Sequence, residues 1–186
     1  MLELYHWKIQ ITQLNLLASH DTARLLSIAG GDKASVELAT LLLLTFPGDP
    51  NIYYGDEVGL IGALDPDSRR GFPMEQQWEM DVLNYHKYLI GLRHKYAAFR
   101  IGLYQALFAE GKVYAFARIL GEEELIVAVN VGTATTKVSF NTANIKSHPD
   151  QILYGSGDVS WNIDEETNQL ELRIPPRTKL ILGATN

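Results

Sequence analysis

The stretch Lys33–Phe46 limits the fold more than any other part of the chain. Asp32 is placed to cap it as a helix, and Pro47 and Gly48 stop it. Between them Val36, Leu38, Ala39, Leu41, Leu42 and Leu43 leave little polar surface, so the helix needs burial on more than one side. Two short runs flank it. Leu14, Leu16 and Leu17 read as a buried strand ending at Ser19, His20 and Asp21, and Asn51–Tyr54 read as a second strand closed by Gly55. Strand, helix, strand with short links argues for a parallel α/β unit. Residues 56–78 are rich in Gly, Pro, Asp and Arg and read as one long loop, a length that inside a domain usually carries function. The spacing of Val82, Tyr85, Leu89 and Leu92 then predicts a long helix over Glu79–Tyr96.

After Arg100 the pattern changes. Ile101–Phe108, Lys112–Leu120, Glu124–Val131, Thr135–Phe140, Gln151–Tyr154, Val159–Ile163, Leu170–Ile174 and Thr178–Leu182 are strand candidates separated by turn signals such as Gly121-Glu122-Glu123. Short strands at this spacing predict an antiparallel β-sandwich. The fold class is therefore α/β followed by all-β, with domains 1–100 and 101–186.

Composition narrows the function. Acidic residues number 22 against 16 basic ones, for a net charge of −6 in 186 residues, and neither half is basic. Binding driven by phosphate neutralisation is thereby disfavoured, and nucleic acid is not expected as a partner. The absence of cysteine excludes disulfides, thiolate metal sites and cysteine nucleophiles. The longest apolar run, Leu41–Phe46, is far too short to span a bilayer, and the first residues lack a secretory pattern, so a cytoplasmic protein without membrane contact is expected.

Two clusters carry chemistry. Ser19-His20-Asp21-Thr22-Ala23-Arg24 sits where a strand ends, the place where parallel α/β folds gather ligands. A carboxylate there stabilises developing positive charge and an imidazole donates to a hydroxyl. The alternative is an ordinary turn with Asp21 as a helix cap. A His-Asp doublet also serves metal phosphohydrolases, but no other His here has the setting of a further ligand. The second cluster runs from Gly48 to Gly59 and continues through Gly62 to Asp65, Pro66 and Arg69. Rings beside carboxylates and an arginine suit a sugar, whose apolar faces stack while its hydroxyls bond to charge.

Taken in order, Asn15–Arg24, Gly48–Gly59 and Asp65-Pro66 with Arg69 resemble the end of the α-amylase superfamily catalytic barrel. The Ser19-His20-Asp21 form and the Asp65-Pro66, Arg69 element look most like neopullulanases and cyclomaltodextrinases. Leu89, Ile90, Leu92, Arg93 and Gly102 match that family's last barrel helix and its exit, and the remainder, closing with Ile174-Pro175-Pro176-Arg177, is similar to its C-terminal β-domain. The resemblance implies the last two strands and helices of a (β/α)8 barrel followed by an antiparallel β-sandwich. It implies that Asp21 stabilises the transition state, that His20 contacts sugar hydroxyls in the cleavage subsite, and that Asp65 and Arg69 hold a glucose at or beside it. Tyr53 and Tyr54 are assigned to packing of the eighth strand. Glu57 does not match the family's acid, and Met74 stands where relatives often carry Trp.

One departure follows from the same resemblance. Retaining glycosidases need a nucleophile and an acid/base carboxyl about 5–5.5 Å apart. In this family both precede the His-Asp motif, whereas the only acid before Asn15 here is Glu3. The expectation is a C-terminal portion of a retaining α-glucan hydrolase acting on α-1,4 and, as a second linkage, α-1,6 bonds, inactive by itself. It would pair with the missing barrel segment or self-associate through bare strand edges. A non-catalytic carbohydrate-binding or assembly module is the rival, with Trp161 and Tyr154 as candidate stacking rings that read better as core. No organic cofactor or metal is implied; the family admits calcium, but no ligand spacing here calls for it.

Overall fold

A computed structural model describes residues 5–146, 148–155 and 158–184, so Glu3 lies outside it. The chain divides into two compact units, Met1–Lys95 and Tyr96–Asn186.

In the first unit a short helix α1 (Trp7–Gln10) leads into β1 (Leu14–Leu16), followed by α2 (Leu25–Ile28), α3 (Lys33–Thr45), β2 (Asp49–Asn51) and, after a long loop, α4 (Met80–Lys95). β1 and β2 pair in parallel with Asn15 opposite Pro50, so the strand–helix–strand order does build a parallel pair. Asp32 caps α3 as its sequence position suggests, accepting from the Ala34 amide at 3.0 Å and from the Ser35 hydroxyl at 2.7 Å. α4 buries Val82, Tyr85, Leu89 and Leu92. It is latched to α3 by polar contacts at three levels: Tyr85 Oη donates to the Glu37 carbonyl, His86 Nε2 meets Thr40 Oγ1, and the buried Arg93 donates to the carbonyls of Leu44 and Gly48. Arg93 so satisfies the Leu44 carbonyl, which the end of α3 leaves without a helical partner, and ties it to the Gly48 carbonyl beyond the helix.

Two strand expectations need correction. β1 is not buried: Leu14 is 62% exposed and Leu16 49%. Strand alternation puts both leucines on one side, while Asn15 turns the other way and donates to the Pro47 carbonyl at 2.7 Å. The second strand is Asp49–Asn51 rather than Asn51–Tyr54. Its register is set by the Asp49 amide on the Gln13 carbonyl, and the chain leaves the ladder at Ile52.

The second unit opens with a one-turn helix α5 (Ala98–Ile101), so the expected strand from Ile101 begins two residues later. All eight expected strands are present: β3 (Leu103–Glu110), β4 (Val113–Leu120), β5 (Glu123–Asn130), β6 (Thr136–Asn141), β7 (Gln151–Tyr154), β8 (Ser160–Asp164), β9 (Gln169–Ile174) and β10 (Lys179–Gly183). They form two antiparallel sheets, ordered β3-β4-β5-β10-β7 and β6-β9-β8. Ala115, Ala117, Ile126, Leu180 and Leu182 of the larger sheet share one core with Val138, Phe140, Leu170, Leu172 and Ile174 of the smaller. Each fully buried leucine or isoleucine of that core stabilises the fold by about 1.5–3 kcal/mol. Asn130, fully buried, closes the sandwich end by donating to the carbonyls of Ala134, Ile174 and Pro175 and accepting from the Gly132 amide.

Candidate functional site

Beyond β1 the chain makes a tight turn whose backbone groups are met locally. The Ser19 amide donates to Thr22 Oγ1 at 2.9 Å, the Thr22 amide to the Ser19 carbonyl, and the Asp21 amide to Ser19 Oγ at 3.2 Å. With the turn closed by Ser and Thr, the side chains of His20 and Asp21 are left facing solvent, 63% and 73% exposed. Asp21 is no helix cap: α2 starts after Arg24 with no side-chain cap at all.

The second loop returns to the same place. Arg69 Nε lies 3.0 Å from Asp65 Oδ1 and donates to the His20 carbonyl at 3.4 Å, and its NH2 lies 4.0 Å from Asp21 Oδ1. His20 Nε2 is 3.4 Å from Asp21 Oδ2. His20, Asp21, Asp65 and Arg69 thus stand in one cluster, drawn from two loops that follow two adjacent parallel strands. Ion pairs this exposed contribute about 0–1 kcal/mol each, so folding does not explain why two carboxylates, an imidazole and a guanidinium converge there.

Sequence reasoning missed the groups that hold the cluster. Ser68 is fully buried, and its hydroxyl donates to the same His20 carbonyl at 3.3 Å. Asp67 accepts from the Ala63 amide at 2.7 Å and from Arg70 Nε at 2.6 Å, and these two donors hold its carboxyl below the usual carboxylate range. The Asp67–Arg70 spacing of three residues is the one signal in the sequence that could have pointed to it.

Tyr53 packs against the core of Ala18, Leu25, Leu26, Val36 and Val82, and with Tyr54 it also meets a buried cation. The two tyrosine rings, in edge-to-face contact with centroids 4.7 Å apart, lie 4.2 and 4.3 Å from the guanidinium carbon of Arg24, which is completely buried against them. Arg24 NH1 donates to the Tyr54 carbonyl and sits 3.8 Å from Asp56 Oδ1, while the Arg24 amide donates to the Gly62 carbonyl at 3.0 Å. Burial raises the Asp56 carboxyl to about 6 against the opposing pull of Arg24. Asp56 also lines a small cavity of about 10 Å³ with His86, whose imidazole is held below its ordinary value by burial.

Among the described residues no three His, Asp or Glu side chains gather as metal ligands, and no helix is long and apolar enough to cross a membrane. In the second unit an open cleft of about 500 Å³ runs over β6, β9 and β8, and Lys137, Ser139, Ser160, Asn162, Glu171 and Arg173 give it a polar lining. Trp161 on β8 is half-buried against the sandwich core, its indole donating to the Pro149 carbonyl at 3.2 Å.

Residues 3–102 match the family described as alpha amylase, catalytic domain, and residues 102–182 match the alpha-amylase C-terminal domain. A cyclomaltodextrinase of Thermoanaerobacter pseudethanolicus is 41% identical over 117 residues, which is 62% of this chain and 20% of that protein. Neopullulanase 2 of Thermoactinomyces vulgaris is 41% identical over 121 residues, with the same shares. The crystal structure of a debranching enzyme from Nostoc punctiforme aligns with a TM-score of 0.92 at 58% identity, covering 98% of this chain and 38% of that one. The chain therefore spans about a fifth of the length of these curated relatives.

Proposed function

The chain belongs to the α-amylase family, and from that premise we propose that it forms the substrate-gripping end of a retaining α-glucan hydrolase. The observation that carries the reading is the convergence of His20, Asp21, Asp65 and Arg69 at the loops after two parallel strands. Asp21, with both carboxylate oxygens held only by long contacts, keeps lone pairs for sugar hydroxyls and a charge to face an oxocarbenium-like transition state. His20 donates to a hydroxyl of the same sugar. Asp65 and Arg69, an ion pair at 3.0 Å, offer an acceptor and a donor to the neighbouring glucose. The reading assigns neither nucleophile nor acid/base to these residues; they bind and polarise, and the covalent step belongs to a carboxyl pair supplied from elsewhere in the enzyme. The relatives' names, cyclomaltodextrinase, neopullulanase and debranching enzyme, support α-1,4-linked glucans with α-1,6 bonds as the second target.

A titration of the isotope-labelled chain with maltotriose, followed by amide NMR, tests this. Shifts centred on residues 19–22 and 65–70, absent with β-linked cellobiose, are expected. Shifts confined to β6, β8 and β9 would instead favour a carbohydrate-binding module, and no shift with either sugar would refute the assignment.

A further inference from the structure

Arg24 belongs to neither loop tip, yet it follows the first directly and is bonded to the stretch that leads into the second. Its backbone amide continues the turn that carries His20 and Asp21 and is bonded to the Gly62 carbonyl, three residues before Asp65. Its guanidinium reaches the other way, to the Tyr54 carbonyl and toward Asp56. Tyr54 in turn passes its phenol to the Arg70 carbonyl at 2.8 Å, next to Arg69. The packing around it is close: a Cβ at Gly62 would lie 2.7 Å from the Asp67 carbonyl oxygen and 3.2 Å from Arg24 Cγ. Arg24 is 0% exposed, and its Nε and NH2 have no hydrogen-bond partner. A cation buried at that cost, with part of its donor capacity unused, is poorly explained as a stabilising ion pair.

We infer that Arg24 is a positioning residue: a planar cation packed against the edge-to-face pair Tyr53 and Tyr54 that fixes the loop bearing His20 and Asp21 against the loop bearing Asp65 and Arg69. The inference rests on the glucan-site reading for its functional consequence, but not for the brace itself. A guanidinium suits the place because its flat face packs against the two rings while its rim still donates to the Tyr54 carbonyl, which an ammonium cannot do. Arg93 shows the contrast within the same unit. It is also buried and also bonded to backbone carbonyls, but those belong to Leu44 and Gly48 at the end of α3, away from the cluster.

The test uses the full chain and compares Arg24→Lys, the double variant Arg24→Met/Asp56→Asn, and Arg93→Met. The double variant removes both buried charges together, so an unpaired Asp56 does not unfold the unit. Amide hydrogen exchange of residues 55–62 should speed up about tenfold in the double variant relative to α3, the scale of one lost charge-assisted hydrogen bond. The maltotriose shifts at residues 19–22 and 65–70 should require about tenfold more sugar in the same variant. Arg24→Lys should restore less than half of either effect on a logarithmic scale, because charge without the planar fork does not bridge the loops. Arg93→Met should lower the stability of the unit while leaving maltotriose affinity within about twofold, inside the error expected for a distant, independent site. Unchanged exchange at residues 55–62, full recovery by Lys, or loss of affinity in Arg93→Met equal to that in the double variant would each overturn the brace. A wild-type chain that ignores maltotriose would sink the glucan reading alone, and the exchange result would still decide the brace.

Discussion

Asp56→Asn should change how the stability of the first unit depends on pH, and the size of the change follows from the burial of one carboxyl. Asp56 is 5% exposed and its carboxyl holds its proton to about pH 6, against an ordinary 3.8. Below 3.8 the folded and unfolded chains are both protonated. Between 3.8 and about 6 the folded chain keeps a proton that the unfolded chain has released, so stability falls as pH rises through that window and levels off above it. Two pKa units at 1.36 kcal/mol each bound the fall at roughly 3 kcal/mol. Asparagine does not titrate, so the variant lacks this fall. His86 titrates nearby with the opposite sign: its value is depressed, so acidification below the ordinary 6.5 favours the unfolded chain. Its charged neighbours, Glu57 and Glu37, are untouched by the substitution, and its contribution cancels when the variant is subtracted from wild type.

The difference in unfolding free energy between Asp56→Asn and wild type is therefore the quantity to measure. Urea melts from pH 4 to 8, read by pulsed hydrogen exchange at α3 and α4 peptides, isolate the first unit. The variant should gain on wild type by roughly 2–3 kcal/mol between pH 4 and 7, with the change centred below pH 6. A constant offset will sit beneath that change, because the substitution leaves the Arg24 guanidinium without its counter-charge. A pH-independent difference, or a variant that gains on acidification, would refute the claim that burial rather than Arg24 governs this carboxyl.

In an enzyme that joins these residues to a catalytic carboxyl pair, Asp21→Asn should lower kcat by about 10²–10³ without altering thermal melts, since one preorganised charge is lost and no packing changes. Asp65→Ala should raise KM for short maltooligosaccharides more than it lowers kcat, whereas Arg69→Ala should raise KM and lower kcat to a similar extent, because Arg69 also approaches Asp21 and the His20 carbonyl; steady-state kinetics on both variants separates the two. Leu172→Ala, at a fully buried position of the sandwich, should destabilise the second unit by about 2–5 kcal/mol in the same exchange-read melts. Leu14→Lys/Leu16→Lys should reduce self-association measured by sedimentation, because those leucines are exposed on a short parallel ladder that has no third strand among the described residues.

The sandwich was legible because each of its strands carries its own evidence. Val138, Phe140, Leu170, Leu172 and Ile174 alternate with polar neighbours, and period two locates a half-buried strand without any knowledge of its partner. The strands of the parallel pair are three residues each, too short for a period to say which side is buried. Leu14 and Leu16 flank Asn15 in too short a stretch to say which face is inner, and only the ladder reveals that Asn15 takes the inner position while Leu14 and Leu16 are exposed. Residue types at the site were legible for the same local reason: a His-Asp turn and an Asp-Pro element with an arginine are short words. Their convergence was not, because the bond from Arg69 to the His20 carbonyl spans 49 residues and exists only when both loops are placed. Arg24 marks the limit of local reading. A lone arginine after a turn reads as a solvated charge, since an arginine is almost never fully buried unless paired. What buries it is a pair of tyrosines about thirty positions away, whose place in a short β-rich run suggested a strand. A charge whose environment is made by distant aromatic residues leaves no periodic trace, and such charges are where a sequence reading of a site stops short of its supports.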